Sequence, residues 1–153
     1  MWTSDKPGLL HMTFQLIEVV NEEQLQQAFD IRTAVYIQEQ AVPEELEFDG
    51  LDDAAEHYLV LSDGEPVATY RLNLKLDFAK LERFAVLKPW RGKGVGRMMV
   101  EHSIRRSREK GYKEAQLDAQ VRAIDFYKRF GFEVISEEFL DAGILHKKMS
   151  LNL

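Results

Sequence analysis

The segment Arg91-Gly92-Lys93-Gly94-Val95-Gly96 combines glycine and basic residues in a pattern that suits phosphate binding. It follows an apolar run at 81–87, which predicts a strand, and it precedes a helical pattern that extends to about residue 110. At such a strand-to-helix turn the first N–H groups of the helix lack partners, and the helix dipole adds positive charge beside them. Because glycine has no Cβ, phosphate oxygens can approach the backbone closely. The segment therefore predicts a site for a phosphorylated ligand.

Two familiar nucleotide-binding motifs do not fit this segment. A Walker A loop would end in Gly-Lys-Ser or Gly-Lys-Thr, which is not the case here. A Rossmann fingerprint would open a parallel βαβ unit and would be followed by an acidic residue about 20 positions later. The strands predicted before this turn are instead antiparallel. A turn with a purely structural role is the alternative that the glycine residues themselves leave open.

Composition limits the class of protein. The chain has 153 residues, 45% of them hydrophobic, which predicts one globular domain with a packed core. It has no cysteine, which excludes disulfides and cysteine catalysis and removes the best zinc ligands, so we expect no metal. The net charge of −6 argues against a general nucleic-acid binder. No apolar run reaches the roughly 20 residues of a membrane span, and no signal peptide is evident, so we expect a cytoplasmic protein with residues 1–12 as a loose extension.

Hydrophobic periodicity and turn residues predict the elements that position the glycine turn. Strands are predicted at 14–20, 57–61, 66–76, 80–87, 114–119, 133–137 and 144–151. Helices are predicted from the Asn21 cap to about residue 40, from Gly94 to about residue 110, and at 122–130. The second of these carries an apolar and small-residue stripe that would face the sheet: Val100, Ser103, Ile104 and Ser107. The order β-α-β-β-β-α-β-α-β-β predicts a single α/β (α+β) domain.

Charged segments outside the glycine turn allow two interpretations each. The acidic stretch at 43–55 reads as a loop, which is either solvated or lines a pocket that attracts a cationic amine. The basic run Arg105, Arg106, Arg108 and Lys110 reads as a solvated helix face, and its alternative role is a contact with a distal phosphate of the bound ligand. His57 and His102 have no context that suggests a role, and we expect His102 to be solvated.

Two motifs together resemble the GNAT superfamily of N-acetyltransferases. The family's pyrophosphate motif, Arg/Gln-x-x-Gly-x-Gly/Ala, is matched by Arg91, Gly94 and Gly96. The segment Asp125-Phe126-Tyr127-Lys128-Arg129-Phe130-Gly131-Phe132 is similar to the family's aromatic-Tyr-x-x-x-Gly-Phe helix end. The predicted element order also matches, over residues 13–151. Segments 36–40 and 47–49 further resemble a small bacterial subgroup of uncharacterised members.

The resemblance implies a fold, a donor and a reaction. The fold would be the acyl-CoA N-acyltransferase fold, a mostly antiparallel sheet flanked by helices. Acetyl-CoA would be the co-substrate, and its acetyl group would pass by direct attack to a primary amine, expected to belong to a small molecule, with a protein lysine or N-terminus as the alternative acceptor. A non-catalytic acyl-CoA-binding or sensing module, and a nucleotide-binding protein of unrelated fold, are the alternatives. The resemblance is compatible with a homodimer, which the residues themselves neither predict nor exclude.

The resemblance also implies which residues bind the donor. Backbone groups of the strand before the turn, at Phe84, Ala85 and Val86, would meet the pantetheine arm. The turn from Arg91 through Gly92, Lys93, Gly94, Val95 and Gly96 to Arg97 would hold the pyrophosphate. Gln120 stands where many family members have an asparagine that contacts the pantetheine.

Three side chains are candidates for the chemistry. Tyr127 corresponds to the family tyrosine that protonates the departing thiolate, although it could instead only pack. Glu82 is the first candidate base, because alternation predicts that it shares a face with Phe84 and Val86. A salt bridge to Arg71 is its alternative role. His146 is the second candidate base, since histidine titrates near neutral pH, and its alternative role is structural.

Overall fold

The computed structural model describes residues 2–5 and 13–153. Over this part of the chain the strands are β1 (Trp2–Asp5), β2 (Thr13–Glu18), β3 (Glu56–Ser62), β4 (Glu65–Asn73), β5 (Ala79–Val86), β6 (Glu114–Gln120), β7 (Glu133–Val134), β8 (Phe139–Asp141) and β9 (Ile144–Asn152). The α-helices are α1 (Glu22–Arg32), α2 (Glu44–Glu47), α3 (Val95–Glu109) and α4 (Ile124–Lys128). A π-helix, Thr33–Glu39, continues α1, and 3₁₀ turns at Lys88–Trp90 and Val121–Ala123 precede α3 and α4.

All strands belong to one sheet with the order β1-β2-β3-β4-β5-β6-β9-β7, and β8 pairs with β9 at the end of the sheet. Neighbouring strands are antiparallel except β5 and β6, which are parallel. The parallel pair is short: it runs from Ala79↔Ala115 to Leu81↔Leu117 and then stops. The remainder of β5 is paired with β4 on one side only, so its other edge is open.

Helices cover both faces of the sheet. The larger apolar cluster contains the α3 residues Val95, Met99 and Val100 and extends to α4. The smaller cluster joins the α1 residues Ala28 and Ile31 to the other face. Burial of apolar side chains on both faces is the main driving force for this arrangement. The fold is therefore the predicted mixed α/β sheet flanked by helices.

Local signals predicted most of the elements correctly. The Asn21 side chain caps α1 by accepting a hydrogen bond from the Gln24 N–H at 2.8 Å. In α3, all four residues of the predicted stripe are buried, and Ser103 and Ser107 are fully so. Their hydroxyls donate to the carbonyls of Val100 and Ser103, so these polar groups cost little in the core.

Some boundaries differ from those predicted. The 122–130 helix is shorter, because a 3₁₀ turn occupies its start. The strand predicted at 133–137 ends at Val134, and β8 was not predicted. Residues 1–12 were expected to form a loose extension, yet within that stretch β1 pairs with β2 from Trp2↔Leu16 to Asp5↔Thr13. Residues 1 and 6–12 lie outside the described residues.

A bulge interrupts the pairing of β4 with β5. Arg83 and Phe84 both stand opposite Tyr70, because the register passes from Arg71↔Glu82 to Thr69↔Ala85. Arg83 has a φ of 56°, in the left-handed region that is uncommon for residues other than glycine. An extra residue in a strand reverses the alternation of side chains beyond it. The bulge therefore controls which side chains of β5 reach each face.

Candidate active site

A cleft opens where β5 and β6 stop pairing. Its volume is about 770 Å³, and its walls come from these strands, the π-helix and α4. A second cavity of about 670 Å³ lies over the start of α3. Val86, Arg91 and Phe126 line both, so the two form one continuous surface. A ligand could extend from the start of α3 into the gap between the strands.

The glycine turn lines the second cavity at the start of α3. Gly94, which precedes the first residue of α3, has a φ of 85°, and Gly92 has a φ of 76°, conformations that glycine adopts without strain. No side chain caps α3, so its first N–H groups remain available for an anion. A Cβ on Gly96 would approach the ring of Phe126 to 3.4 Å, so the glycine also lets α4 pack closely against α3.

The two arginines of the turn already have acidic partners. Arg91 donates to Glu39 at 2.8 Å and to the Val86 carbonyl at 2.9 Å. Arg97 donates to Glu101 at 2.6 Å. All four side chains are at least one-third exposed, so water screens both pairs. An incoming phosphate could replace the carboxylates at little cost.

The open edge of β5 carries the residues that were predicted to meet the donor. The Phe84 carbonyl points into the cleft, where it accepts a hydrogen bond from the Tyr36 hydroxyl. Ala85 is buried and paired with Thr69 of β4. Val86 lines both cavities. Phe84 and Val86 thus lie along the cleft, whereas the side chain of Ala85 packs with α1 on the other face.

Tyr127 stands beside Phe84 in the cleft. The ring centroids lie 6.2 Å apart in an edge-on arrangement, and Tyr127 is 9% exposed. Burial raises the pKa of the Tyr127 phenol above its usual range. Among the described residues its hydroxyl has no hydrogen-bond partner. The hydroxyl is therefore protonated and free to donate to a ligand.

The structure corrects the predicted orientation of Glu82. Leu81 packs in the same apolar cluster as Phe84 and Val86, which would not be possible in a regular strand. The bulge at Arg83 and Phe84 accounts for this arrangement, and it places Glu82 on the opposite face. The prediction that Glu82 shares a face with Phe84 and Val86 is therefore wrong. Glu82 nevertheless lines the cleft, from the side of the sheet that α1 covers.

The predicted salt bridge between Glu82 and Arg71 is confirmed. Arg71 Nη2 lies 3.1 Å from Glu82 Oε2, and Arg71 is completely buried. The other carboxylate oxygen, Oε1, is buried without a hydrogen-bond partner. A buried acceptor without a partner is costly, so this oxygen would gain from any N–H group that reached it.

The acidic stretch forms a network with arginines of the core. Arg32 pairs with Glu47 at 2.8 Å and with Asp52 at 2.7 Å. Arg71 pairs with Asp49 at 2.9 Å and with Asp52 at 3.0 Å. Arg83 pairs with Glu47 at 3.1 Å and with Asp49 at 3.2 Å.

Burial raises the pKa of Glu47 even though Arg83 and Arg32 lower it. For Asp49, burial is outweighed by the hydrogen bonds from Arg71 and Leu51, which hold its pKa well below the usual range. This stretch is therefore held to α1, β4 and β5 by ion pairs, and its residues Leu46, Asp49 and Leu51 line the cleft.

His146 lies on β9, opposite Gln120 of β6 and Phe139 of β8. It is 9% exposed, it lines the cleft, and it stacks on the Phe139 ring with centroids 5.9 Å apart. Its Nδ1 lies 2.7 Å from the Ile144 carbonyl, which can only accept, so Nδ1 carries the hydrogen. This tautomer leaves the ring lone pair on Nε2, where a base would need it.

Gln120 is tied across the mouth of the cleft. Its Nε2 donates to Gln40 Oε1 at 2.8 Å, and its Oε1 accepts from Arg122 at 2.9 Å. A contact between Gln120 and a donor molecule would require one of these hydrogen bonds to exchange. Gln120 therefore joins the chain after the π-helix to the end of β6.

His102 has a structural role. His102 was expected to be solvated, but this is wrong: it shares a 2.6 Å hydrogen bond with the Tyr70 hydroxyl and packs against Tyr58. Burial, with Arg106 and Arg105, lowers the pKa of His102 to about 4. In the predicted basic run, Arg106 binds both oxygens of Glu56, at 2.9 and 2.7 Å.

Tyr36 and Arg83 are the cleft residues that the sequence did not reveal. The sequence places Tyr36 only within the helix predicted from Asn21 to about residue 40, and nothing in the sequence signals a π-helix there. Position 83 holds an arginine, not the glycine that would signal a left-handed backbone in the sequence. Both are recognisable only once β5 and the acidic stretch are brought together.

Residues 2–5 and 13–153 contain neither a membrane-spanning helix nor a metal-binding cluster. No helix there is long and apolar enough to cross a membrane. In the same part of the chain, no three His, Asp or Glu side chains are grouped so that they could hold a metal ion.

Known proteins are similar to this chain in both sequence and fold. Residues 17–153 match the model of the acetyltransferase (GNAT) domain. The uncharacterised N-acetyltransferase YjcF of Bacillus subtilis (strain 168) is 43% identical over 130 residues, which cover 84% of this chain and 93% of that protein.

Solved structures agree with this assignment. Escherichia coli ElaA superposes with a TM-score of 0.80 at 26% identity, covering 91% of this chain and 98% of ElaA. A GNAT family acetyltransferase from Elizabethkingia anophelis with acetyl-CoA bound shares the fold, with a TM-score of 0.70 at 14% identity, covering 92% and 98% of the two chains. The expected enzyme class, an acetyl-CoA-dependent N-acetyltransferase, is confirmed. The chain belongs to the GNAT acetyltransferase family.

Proposed function

We propose that this chain transfers the acetyl group of acetyl-CoA to a primary amine of a small molecule, in the cleft between β5 and β6. The observation that carries this proposal is the open edge of β5, which leads directly to the glycine turn at the start of α3. A donor that lies along this edge would have its pyrophosphate at the turn and its thioester between Phe84 and Tyr127. The acetyl-CoA bound to the Elizabethkingia enzyme of the same fold supports this donor.

On the donor side, we assign Phe84, Ala85 and Val86 to the pantetheine arm. The backbone from Arg91 to Gly96 would hold the pyrophosphate, and Arg97 would exchange Glu101 for a phosphate oxygen. Gln120 would reach the pantetheine only after it releases Gln40 or Arg122. These roles follow the order of the residues along the two joined cavities.

The proposed chemistry is direct attack. The nitrogen of the neutral amine attacks the thioester carbonyl carbon, the N–C bond forms, and the C–S bond then breaks with its electron pair remaining on sulfur. Tyr127 donates its hydroxyl proton to that sulfur and regains one from water in the open cleft. The proton lost by the amine passes to a base. All of these roles use side chains alone, in an enzyme that we expect to act in the cytoplasm without a metal ion.

We assign the base to Glu82, with His146 as the second candidate. Glu82 lines the cleft from the α1 side, opposite the Phe84 and Tyr127 rings, and its Oε1 is free to receive an N–H. An amine entering from the α1 side would approach the face of the thioester that the rest of acetyl-CoA does not cover. His146 has the tautomer of a base, but it lies on β9, one strand further along the sheet than β6.

The test is a CoA-release assay across a library of primary amines, from aliphatic diamines to amino sugars and amino acids. Tyr127→Phe should reduce turnover by about 100-fold while leaving acetyl-CoA affinity unchanged. Binding of acetyl-CoA without turnover of any amine would favour a non-catalytic acyl-CoA-binding module. Stabilisation by ATP or NAD but not by acetyl-CoA would contradict the proposal itself.

A further inference from the structure

Tyr36 is a cleft residue with no part in the chemistry described so far. It lies in the π-helix, a rare conformation that is frequent at functional sites. The π-helix is closed by a hydrogen bond from the Val42 N–H to the Tyr36 carbonyl at 2.9 Å, and Ala41 has a φ of 57°. This geometry brings the Tyr36 ring against the smaller apolar cluster, at the open edge of β5.

The hydroxyl of Tyr36 has a fixed hydrogen-bond role. It donates its one hydrogen to the carbonyl of Phe84, which can only accept. Among the described residues it has no other hydrogen-bond partner. Its oxygen therefore offers lone pairs, and no hydrogen, to any group that enters the cleft.

Phe84 is held between two tyrosines. Tyr127 meets the Phe84 ring from the side of the larger apolar cluster, and Tyr36 binds the Phe84 carbonyl from the side of the smaller one. Glu82, with its free Oε1, also lies on the side of Tyr36. The acceptors on this side of the thioester position are thus a phenol oxygen and a carboxylate oxygen.

We propose that Tyr36 is a specificity-determining residue that binds the acceptor's amino group, accepting an N–H hydrogen bond through its phenol oxygen. This inference rests on the proposed function, since it needs an amine in the cleft. Such a site selects a nitrogen that carries hydrogen and rejects groups that can only accept, because those would face lone pairs. Burial, together with electrostatic repulsion from Tyr127 and Glu47, raises the pKa of Tyr36 above its usual range. The phenol therefore stays protonated and continues to donate to the Phe84 carbonyl while the amine loses its proton.

The experiment compares Tyr36→Phe with Tyr112→Phe. Tyr112 also donates its hydroxyl to a backbone carbonyl, that of Leu74, but it lies outside the cleft, so it is a matched control for loss of a phenol hydrogen bond. The acceptor is the amine that wild-type enzyme turns over best in the library. Its des-amino analogue, with a methyl group in place of the amine, is measured as a competitive inhibitor.

The expected result is selective. Tyr36→Phe should raise the acceptor KM about tenfold and leave the inhibition constant of the des-amino analogue unchanged. The dissociation constant of acetyl-CoA should remain that of wild type, and Tyr112→Phe should alter none of these values. If Tyr36 only holds Phe84 in place, acetyl-CoA affinity would fall instead.

Three outcomes would overturn the inference. One is an acceptor KM unchanged by Tyr36→Phe, and another is an equal loss for the amine and its des-amino analogue. The third is a wild-type enzyme that binds acetyl-CoA but acetylates no amine, which would remove the proposed function and this inference together. The first two leave the proposed function standing, so the failures are distinguishable.

Discussion

Arg71 and Glu82 face each other across β4 and β5, joined by a 3.1 Å contact that uses only one oxygen of the carboxylate. The second oxygen is buried and has no partner. The same arginine also binds Asp49 and Asp52, so its orientation does not depend on Glu82 alone. A side chain oriented in this way would lose little entropy on accepting a ligand N–H at its second oxygen.

This arrangement predicts that Glu82→Gln will reduce kcat by about 100-fold, because the amide is no longer a base. Arg71 keeps two acidic partners in the variant, so thermal stability and acetyl-CoA affinity should change little. Steady-state kinetics with a saturating donor would measure the effect.

His146→Asn is the matched variant, because its amide can still donate to the Ile144 carbonyl as Nδ1 does. It should retain most of the wild-type turnover if Glu82 is the base. A loss of about 100-fold in His146→Asn together with an active Glu82→Gln would transfer the role of base to His146.

The glycine turn can be tested against a second glycine of the same backbone geometry. Gly92 and Gly64 have φ values of 76° and 85°, and a Cβ at either position would meet no atom within 4 Å. Alanine should therefore cost about 1 kcal/mol of unfolding free energy at both, from backbone strain alone. Only Gly92→Ala should also weaken acetyl-CoA binding, measured by titration calorimetry. Equal affinities in the two variants would show that the turn does not hold the donor.

Local patterns accounted for much of the fold. The hairpin at Asp63 and Gly64 was predictable because its turn needs a positive φ at both positions, which are 49° and 85°. The α3 stripe was predictable because helical periodicity determines which residues face the sheet. The glycine turn was predictable for a similar reason, since its glycines and its neighbouring strand and helix are adjacent in the sequence.

The orientation of Glu82 was not predictable, because it depends on tertiary contacts. Alternation along β5 fails at Arg83, whose backbone is held in the left-handed region by ion pairs with Glu47 and Asp49. Those acids lie far from β5 in the sequence, and no short motif links them to it. The ion pairs of the acidic stretch were not predictable for the same reason, since its partners Arg32 and Arg71 are buried on other elements.

The buried network should contribute far more to stability than a surface ion pair. Arg32→Met leaves Glu47, whose side chain is only 3% exposed, with Arg83 as its remaining partner, and should cost about 3 kcal/mol of unfolding free energy. Arg97→Met is the control: Arg97 pairs with Glu101, but it is 67% exposed, so the loss should be about 0.5 kcal/mol or less.

Denaturant unfolding of these variants, with a double variant Arg32→Met/Glu47→Gln, would check this. The double variant should recover part of the loss, because it also neutralises the buried carboxylate that has lost Arg32. Equal losses in Arg32→Met and Arg97→Met would contradict a stabilising network.

Stability should fall in mildly acidic solution because of His102. Its pKa is about 4 in the folded protein, against about 6.5 for an unfolded histidine. Between these values the unfolded chain binds a proton that the folded chain excludes, so acid favours unfolding. The contribution is therefore fully present above about pH 6.5 and is lost as the pH falls toward 4. Carboxylates with a lowered pKa, such as Asp49, affect stability at lower pH, below their unfolded pKa of about 4.

His102→Gln can still form a hydrogen bond with the Tyr70 hydroxyl but does not titrate. Its melting temperature, measured from pH 7 to pH 4.5, should fall less steeply than that of wild type, and parallel curves would rule out His102 as the cause.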